Sequence, residues 1–125
     1  MTEDHPQFLI NRFGDQYLYE VNRGTFDQLG ASTLFERHFG EALWAEDTLH
    51  IIVGSDSGLL PRHVLTHGIP EGSRFIFVEP ADLAARVLEA DPTLAEHARL
   101  TIAEADQWFD LAKPFHFEDY AYLER

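Results

Sequence analysis

A strand, loop, helix, strand unit is encoded by residues 49–80, LHIIVGSDSGLLPRHVLTHGIPEGSRFIFVEP. Leu49–Val53 is an apolar run rich in β-branched residues, and its lack of alternation is typical of a strand covered on both faces. Leu59–His67 is predicted to be a helix, because a turn-forming loop precedes it and a glycine follows it. Arg74–Val78 is predicted to be a second buried strand. A unit of this length implies that the two strands pair in parallel.

The alternation of helix and strand continues on the carboxyl side of this unit. Ala81–Ala90 is predicted to be a helix because its apolar residues fall on one face. A short helical turn over Thr93–Ala98 and a third strand over Leu100–Ala103 should follow. Beyond Trp108 the aromatic residues are too numerous to remain in water. That segment therefore either covers an edge of the sheet or leads into a following domain.

A β-hairpin is predicted at the N-terminal end. Phe8–Phe13 and Gln16–Val21 are short aromatic and aliphatic runs, and they are separated by Gly14 and Asp15, a pair that suits a tight turn.

A helix is predicted between the hairpin and the α/β unit. Thr33 followed by Glu36 has the spacing of a capping box, which would open a helix reaching about Leu43. The fold class is therefore α/β: a Rossmann-like, parallel, three-layer unit over residues 48–125, preceded by the hairpin and helix of residues 1–47. Because 125 residues are few for a complete doubly wound enzyme, we expect one domain that is a fragment, or the N-terminal domain, of a longer protein.

The composition argues against several classes of partner. The chain has 9 basic and 22 acidic side chains, and its formal net charge of -13 repels nucleic acid and anionic membrane surfaces. It contains no cysteine, which rules out a disulfide framework or a thiolate zinc site. The N-terminus has no signal-peptide pattern and the sequence has no apolar run of membrane length. We expect a cytoplasmic protein without nucleic-acid or membrane partners.

The candidate ligand site is the loop after the first strand, together with the acidic residue that ends the second strand. In Rossmann-like domains a ligand lies at the carboxyl ends of the strands, where loop amides contact it and an acidic side chain binds the ribose hydroxyls. The candidate cofactor-binding residues are Gly54, Ser55, Asp56, Ser57, Gly58 and Glu79.

Asp56 limits which ligand this loop could bind. A dinucleotide fingerprint has a glycine at that place, and a carboxylate there would oppose a phosphate group. S-adenosylmethionine carries no phosphate, so a methyltransferase-type domain is less affected, although Ile52 stands where such enzymes have an acidic residue ahead of the loop. The other interpretation is that the loop only makes the turn. No cofactor is expected, with S-adenosylmethionine or a nucleotide as the alternative.

Neither metal binding nor nucleophilic catalysis is predicted. His63 and His67 share a helix face, but there is no Glu in the position that zinc proteases use and no evident third ligand, so packing at the edge of the core is favoured. Ser55 and Ser57 lack the glycine pattern of a nucleophile elbow, and helix capping is the favoured role. No catalytic residue is assigned.

The stretch 49–80, with a hairpin and helix before it and a helix after it, resembles the N-terminal domain of motility accessory factor (Maf) proteins. These bacterial flagellin glycosyltransferases are implicated in attaching nonulosonic acids such as pseudaminic or legionaminic acid. The similarity covers roughly Tyr17–Ala103, and its most specific parts are the glycine loop and the strand end Phe77–Pro80. In that family glycosyl transfer is assigned to a central domain, related to hydroxymethylpterin pyrophosphokinase and sialyltransferases, that this chain does not cover.

Three classes of function stay open. The resemblance implies an accessory, noncatalytic module that contacts flagellin, another copy of itself or a following catalytic domain. A nucleoside-cofactor domain of methyltransferase type would place Gly54, Gly58 and Glu79 along an open cleft. A small self-associating structural protein would use the exposed edge of the hairpin.

Overall fold

The fold is that of a computed structural model, which describes residues 8–23, 25, 30–108, 110 and 119–124. The strands are β1 (Phe8–Ile10), β2 (Gln16–Leu18), β3 (Thr48–Val53), β4 (Arg74–Glu79), β5 (Leu100–Glu104) and β6 (Asp119–Glu124). The helices are α1 (Tyr19–Asn22), α2 (Ala31–Phe39), α3 (Leu59–His67) and α4 (Ala81–Ala90), with short 3-10 segments at Ala42–Trp44 and Pro92–Ala95.

A four-stranded sheet with the order β5-β4-β3-β6 forms the centre of the molecule. Every neighbouring pair in it is parallel, and Ile51 of β3 is paired with Ile76 of β4 and with Tyr122 of β6. The α/β class and the parallel pairing of the two strands of the 49–80 unit are confirmed. The third strand is also confirmed, and it extends one residue further than predicted, to Glu104.

The fourth strand, β6, was not predicted as a strand. It lies beside β3 on the side opposite β4, with Thr48 paired to Asp119 and Val53 to Glu124. The sequence left open whether the aromatic C-terminal segment covers an edge of the sheet or leads into a following domain. Residues 119–124 cover an edge of the sheet. The chain adds β4 and β5 on one side of β3 and then returns to the other side.

The two faces of the sheet carry separate apolar clusters, because successive side chains of a strand point to opposite faces. One cluster joins the sheet to α2 and α3, and it contains Ile52, Phe75, Phe77, Phe35 and Leu60. The other contains Leu49, Ile51, Ile76, Val78 and Ala103, against which Trp108 packs. The third layer, which would cover this second face, stays a prediction, and residues 111–118 lie outside the described residues.

Helices α3 and α4 have the predicted bounds. Helix α3 ends at Gly68, which adopts a φ of 102° and donates its amide hydrogen to the carbonyl oxygen of Val64. A positive φ at this position favours glycine, which explains why the helix stops there. Helix α4 turns Ala84 and Val87 towards the interior. Among the described residues, no helix combines the length and apolar character needed to cross a membrane.

The N-terminal hairpin is confirmed, but its strands are shorter than predicted and its turn is of another kind. Strands β1 and β2 pair antiparallel from Phe8 with Leu18 to Ile10 with Gln16. The side-chain carbonyl of Asn11 accepts the amide hydrogens of Phe13 and Asp15, so the connection is an asparagine-closed loop instead of a two-residue turn. The chain then becomes helical at Tyr19, where the prediction had continued the strand.

The capping box predicted for the N-terminal helix is wrong. Helix α2 starts at Ala31, with Gly30 as its cap residue, so Thr33 lies inside the first turn. The amide of Ala31 donates to the carboxylate of Asp15 from the hairpin loop, 2.8 Å away. A side chain distant in sequence therefore provides the stabilisation that a local cap was expected to provide. The helix ends early, at Phe39, because Gly40 follows with a positive φ.

Candidate functional site

The structure brings the glycine loop and Glu79 together, as predicted from the strand order. The loop leaves β3 at Gly54, whose amide donates to the carbonyl of Val78 and so remains tied to β4. It enters α3 through Gly58, and Glu79 is the last residue of β4. The loop and the acidic residue thus lie at the carboxyl ends of two adjacent parallel strands.

Glu79 binds the loop itself. The amide of Ser55 donates to Oε2 of Glu79 over 3.0 Å, and the Ser55 hydroxyl donates to the same oxygen. Both side chains are buried, with 6% of Glu79 exposed and none of Ser55. A ribose hydroxyl that binds Oε2 of Glu79 would have to compete with Ser55.

Asn22 of α1 holds the other half of the loop. Its side-chain amide donates to Asp56 over 2.8 Å, and its side-chain carbonyl accepts the hydroxyl hydrogen of Ser57. The Ser57 hydroxyl oxygen also accepts the backbone amide hydrogen of Leu18, 2.9 Å away. Asp56, Ser57 and Asn22 are all buried. Sequence reasoning missed Asn22, because no local signal relates it to a loop more than 30 residues later.

The loop backbone is largely left-handed. Gly54 and Gly58 have φ values of 98° and 90°, and between them Asp56 and Ser57 have φ values of 49° and 60°. A residue with a Cβ loses roughly 1–2 kcal/mol in this region. The side-chain hydrogen bonds of Asp56 and Ser57 therefore stabilise a conformation that these two residues disfavour.

Gly58 is required by two separate constraints. Its φ of 90° favours glycine, and a Cβ at this position would lie 3.0 Å from Cγ1 of Val87 and 3.6 Å from Cδ1 of Leu94. The absence of a side chain thus lets α4 and the segment after it approach the start of α3.

No family model matches this chain, and no curated protein or solved structure matches it significantly. Its function therefore has to be inferred from the contacts of the loop and from the exposed surface.

The paired histidines of α3 pack against aromatic side chains. The His67 ring stacks on Trp44 with a centroid distance of 3.6 Å, and the His63 ring lies 5.3 Å from Phe35 and 5.7 Å from Trp44. Nδ1 of His63 is 3.3 Å from the hydroxyl oxygen of Ser32. These contacts confirm the predicted packing at the edge of the core. Within the described part of the chain, no group of three or more potential ligands is placed to hold a metal ion.

His50 is a buried polar residue in the middle of β3. Its side chain is fully buried, and its ring stacks on Phe75 with a centroid distance of 4.3 Å. Neither ring nitrogen has a hydrogen-bond partner among the described residues. Burial lowers the pKa of His50, and nearby backbone groups of Arg74, Ala42 and Thr48 offset part of the effect. His50 is therefore neutral in the folded protein near pH 7.

A second buried polar contact lies at the opposite end of β3. The hydroxyl oxygen of Ser73 accepts the backbone amide hydrogen of Thr48, and the hydroxyl donates to the carbonyl of Ala45. This contact ties the start of β3 to the loop before β4.

A small cavity lies between the hairpin loop and helices α2 and α3. It has a volume of about 200 Å³, and its lining includes Asp15, Ser32, Arg62 and His63. Small-molecule sites usually have volumes of roughly 300–1,000 Å³. This cavity is too small for a nucleoside ligand, so it does not compete with the loop as the candidate site.

Proposed function

We propose that this chain is a noncatalytic, Rossmann-like accessory module of a Maf-like protein linked to flagellin glycosylation and motility. It acts in the cytoplasm through contacts with protein partners, such as flagellin or a following catalytic domain. The observation that carries the proposal is the closed glycine loop, in which Glu79 binds Ser55 and Asn22 binds Asp56 and Ser57. Four of the candidate cofactor-binding residues are thus already hydrogen-bonded within the protein.

The closed loop supports a structural role because its bonds join three parts of the chain. Glu79 connects β4 to the loop, and Leu18 and Asn22 connect the N-terminal hairpin and α1 to it. A buried polar network of this kind favours one arrangement of the elements that it joins. The loop then serves to fix the N-terminal region on the sheet.

The strand order supports the Rossmann-like assignment. Numbered along the chain from β3, the order β5-β4-β3-β6 is 3-2-1-4. The same order begins the doubly wound arrangement of Rossmann domains.

The surface proposed for the protein contact is the exposed side of the hairpin. Leu9, Ile10 and Phe13 are 45%, 69% and 48% exposed, and β1 pairs only with β2 within the described part of the chain. Exposed apolar side chains on and beside an edge strand are typical of a protein interaction site.

Binding to purified partners tests the proposal. The chain is immobilised and titrated with unglycosylated flagellin and with the central catalytic domain of a Maf protein, and association is followed by biolayer interferometry. We expect saturable, micromolar binding to at least one of them. Binding to neither, together with saturable binding of a nucleoside or nucleotide, would contradict the proposal.

The second candidate is a domain that binds S-adenosylmethionine or a nucleotide. The observation in its favour is the position of Glu79 beside the loop amides at the carboxyl ends of parallel strands, where Rossmann-like domains bind a ribose. A third candidate, a self-associating structural protein, would use the same exposed hairpin side. Sedimentation velocity over a range of concentrations separates it from a partner-binding monomer.

A further inference from the structure

The small cavity between the hairpin loop and helices α2 and α3 combines an apolar floor with polar walls. Its floor contains the buried residues Ala31 and Leu59, and its mouth lies at the surface, where the exposed residues Gly14, Ser32 and Thr66 line it. Its volume of about 200 Å³ equals roughly six or seven water molecules, at about 30 Å³ each in the liquid. The space therefore accommodates an organic molecule of about four to eight non-hydrogen atoms.

His63, in the wall of this cavity, has a buried ring nitrogen without a partner. Nδ1 is 3.3 Å from the hydroxyl oxygen of Ser32, whereas Nε2 is shielded from solvent and has no hydrogen-bond partner among the described residues. Burial lowers the pKa of His63, and the nearby Glu36 carboxylate offsets part of the effect, so the ring is neutral near pH 7. In the tautomer that donates from Nδ1 to Ser32, Nε2 is an acceptor that lacks a donor.

Asp15 gives the cavity a negative charge. Its Oδ2 accepts from the amide of Ala31 over 2.8 Å and from the side-chain amide of Asn11 over 3.1 Å. A carboxylate has about four acceptor positions, so Asp15 can accept further hydrogen bonds. Arg62 also lines the cavity, but its Nε is 2.9 Å from Oδ2 of Asp91, which balances its charge. The carboxylate of Asp15 and the net charge of -13 therefore both favour a cation over an anion.

We propose that this cavity binds a small aliphatic ammonium compound, such as an alkylamine or an amino alcohol. The ammonium group pairs with the carboxylate of Asp15, and an N–H or hydroxyl group of the ligand donates to Nε2 of His63. The carbon atoms of the ligand contact Ala31 and Leu59. A molecule bound there contacts the hairpin loop, α2 and α3 together and stabilises their arrangement. This site is independent of the accessory function proposed above.

Two-dimensional amide NMR of the wild-type chain tests the site. Ethanolamine and n-butylamine are the probes, and propionate and n-butanol are the anionic and neutral comparisons. Because such small molecules bind weakly, each titration reaches about 50 mM at constant ionic strength. We expect saturable shifts at residues 14–16, 31–32 and 62–66 with the amines, and a Kd of about 1 mM. Propionate and n-butanol should bind at least about tenfold more weakly, because neither pairs with a carboxylate.

Four variants test which groups hold the amine. Asp15→Asn removes the charge but retains an oxygen that can accept from Ala31, and it should raise the Kd for ethanolamine about tenfold. His63→Phe retains an aromatic ring without the ring nitrogens and should also weaken binding. Thr66→Phe places a bulky side chain at the mouth and should abolish binding. Thr33→Phe is the matched control, since Thr33 is an exposed helical threonine outside the lining, and it should bind as the wild-type chain does.

Three results would overturn the inference. Wild-type spectra without saturable shifts at these residues would show that the cavity does not bind amines. Propionate binding as tight as that of ethanolamine would contradict the selection by charge. Unchanged amine binding in folded Thr66→Phe would place the ligand outside the cavity. The comparison of the two threonine variants does not alter the cap of α2, so it holds even if Asp15→Asn fails to fold.

Discussion

Replacement of Glu79 by alanine should destabilise the folded protein. Glu79 is 6% exposed and accepts hydrogen bonds from the amide and the hydroxyl of Ser55. Hydrogen bonds to charged groups contribute about 1.5–3 kcal/mol each, and buried donors left without an acceptor add a desolvation cost. Because Ser55 can recover part of this by rotating its hydroxyl, we expect a loss of about 2–4 kcal/mol in the free energy of unfolding.

Urea denaturation followed by tryptophan fluorescence and far-UV circular dichroism measures this loss. Glu79→Gln retains a carbonyl oxygen that can accept from Ser55, so it should lose only about 1 kcal/mol. Glu89→Ala is the surface control, since Glu89 is exposed on α4, and its effect should stay within about 0.5 kcal/mol. If Glu79→Ala proves as stable as Glu89→Ala, Glu79 does not hold the loop and the structural account of this residue is wrong.

Three further predictions concern the core, the loop and the hairpin. Because burial lowers the pKa of His50, the unfolded state binds more protons in acid, so stability should fall as the pH drops below about 6.5, by at most about 1.4 kcal/mol per pH unit. The His50→Leu variant should therefore gain stability relative to the wild-type chain from pH 7 to pH 5 in urea titrations, and a constant difference would contradict the buried neutral ring. Gly58→Ala should lose about 2 kcal/mol or more, from its left-handed φ and the contact with Val87, whereas Gly68→Ala, with open space around its Cβ, should lose only the conformational part of about 1 kcal/mol. Equal losses in thermal melts would show that the approach of Val87 is unimportant. Ile10→Lys should leave the free energy of unfolding within about 0.5 kcal/mol but weaken partner binding in interferometry, and unchanged binding would place the contact elsewhere.

The central α/β unit was predictable because its signals are local. The apolar runs at Leu49–Val53 and Arg74–Val78 have no polar face, which is the pattern of strands buried between two layers, and Gly68 marks the helix end. Strand β6 escaped prediction because its apolar run, Tyr120–Leu123, is short and is bounded by the acidic residues Asp119 and Glu124. Its place beside β3 follows from pairing with a distant strand.

The N-terminal region was less predictable because distant contacts decide its boundaries. Thr33 and Glu36 have the spacing of a capping box, yet the carboxylate of Asp15 provides the cap and α2 starts earlier. In the same way, the proximity of Glu79 to the loop follows from parallel strands, whereas the contact with Asn22 arises only from tertiary packing. The sequence therefore predicted that Glu79 lies beside the loop, but it did not predict the contact with Asn22.

The central claim is that the closed loop has a structural role and binds no cofactor. The most direct test is titration calorimetry of the wild-type chain with S-adenosylmethionine, S-adenosylhomocysteine and CMP. The account predicts no saturable heat with any of the three, because Ser55 donates to Oε2 of Glu79 and Asn22 is bonded to both Asp56 and Ser57. Saturable micromolar binding that is lost in a folded Glu79→Ala variant would contradict it and identify the chain as a cofactor-binding domain.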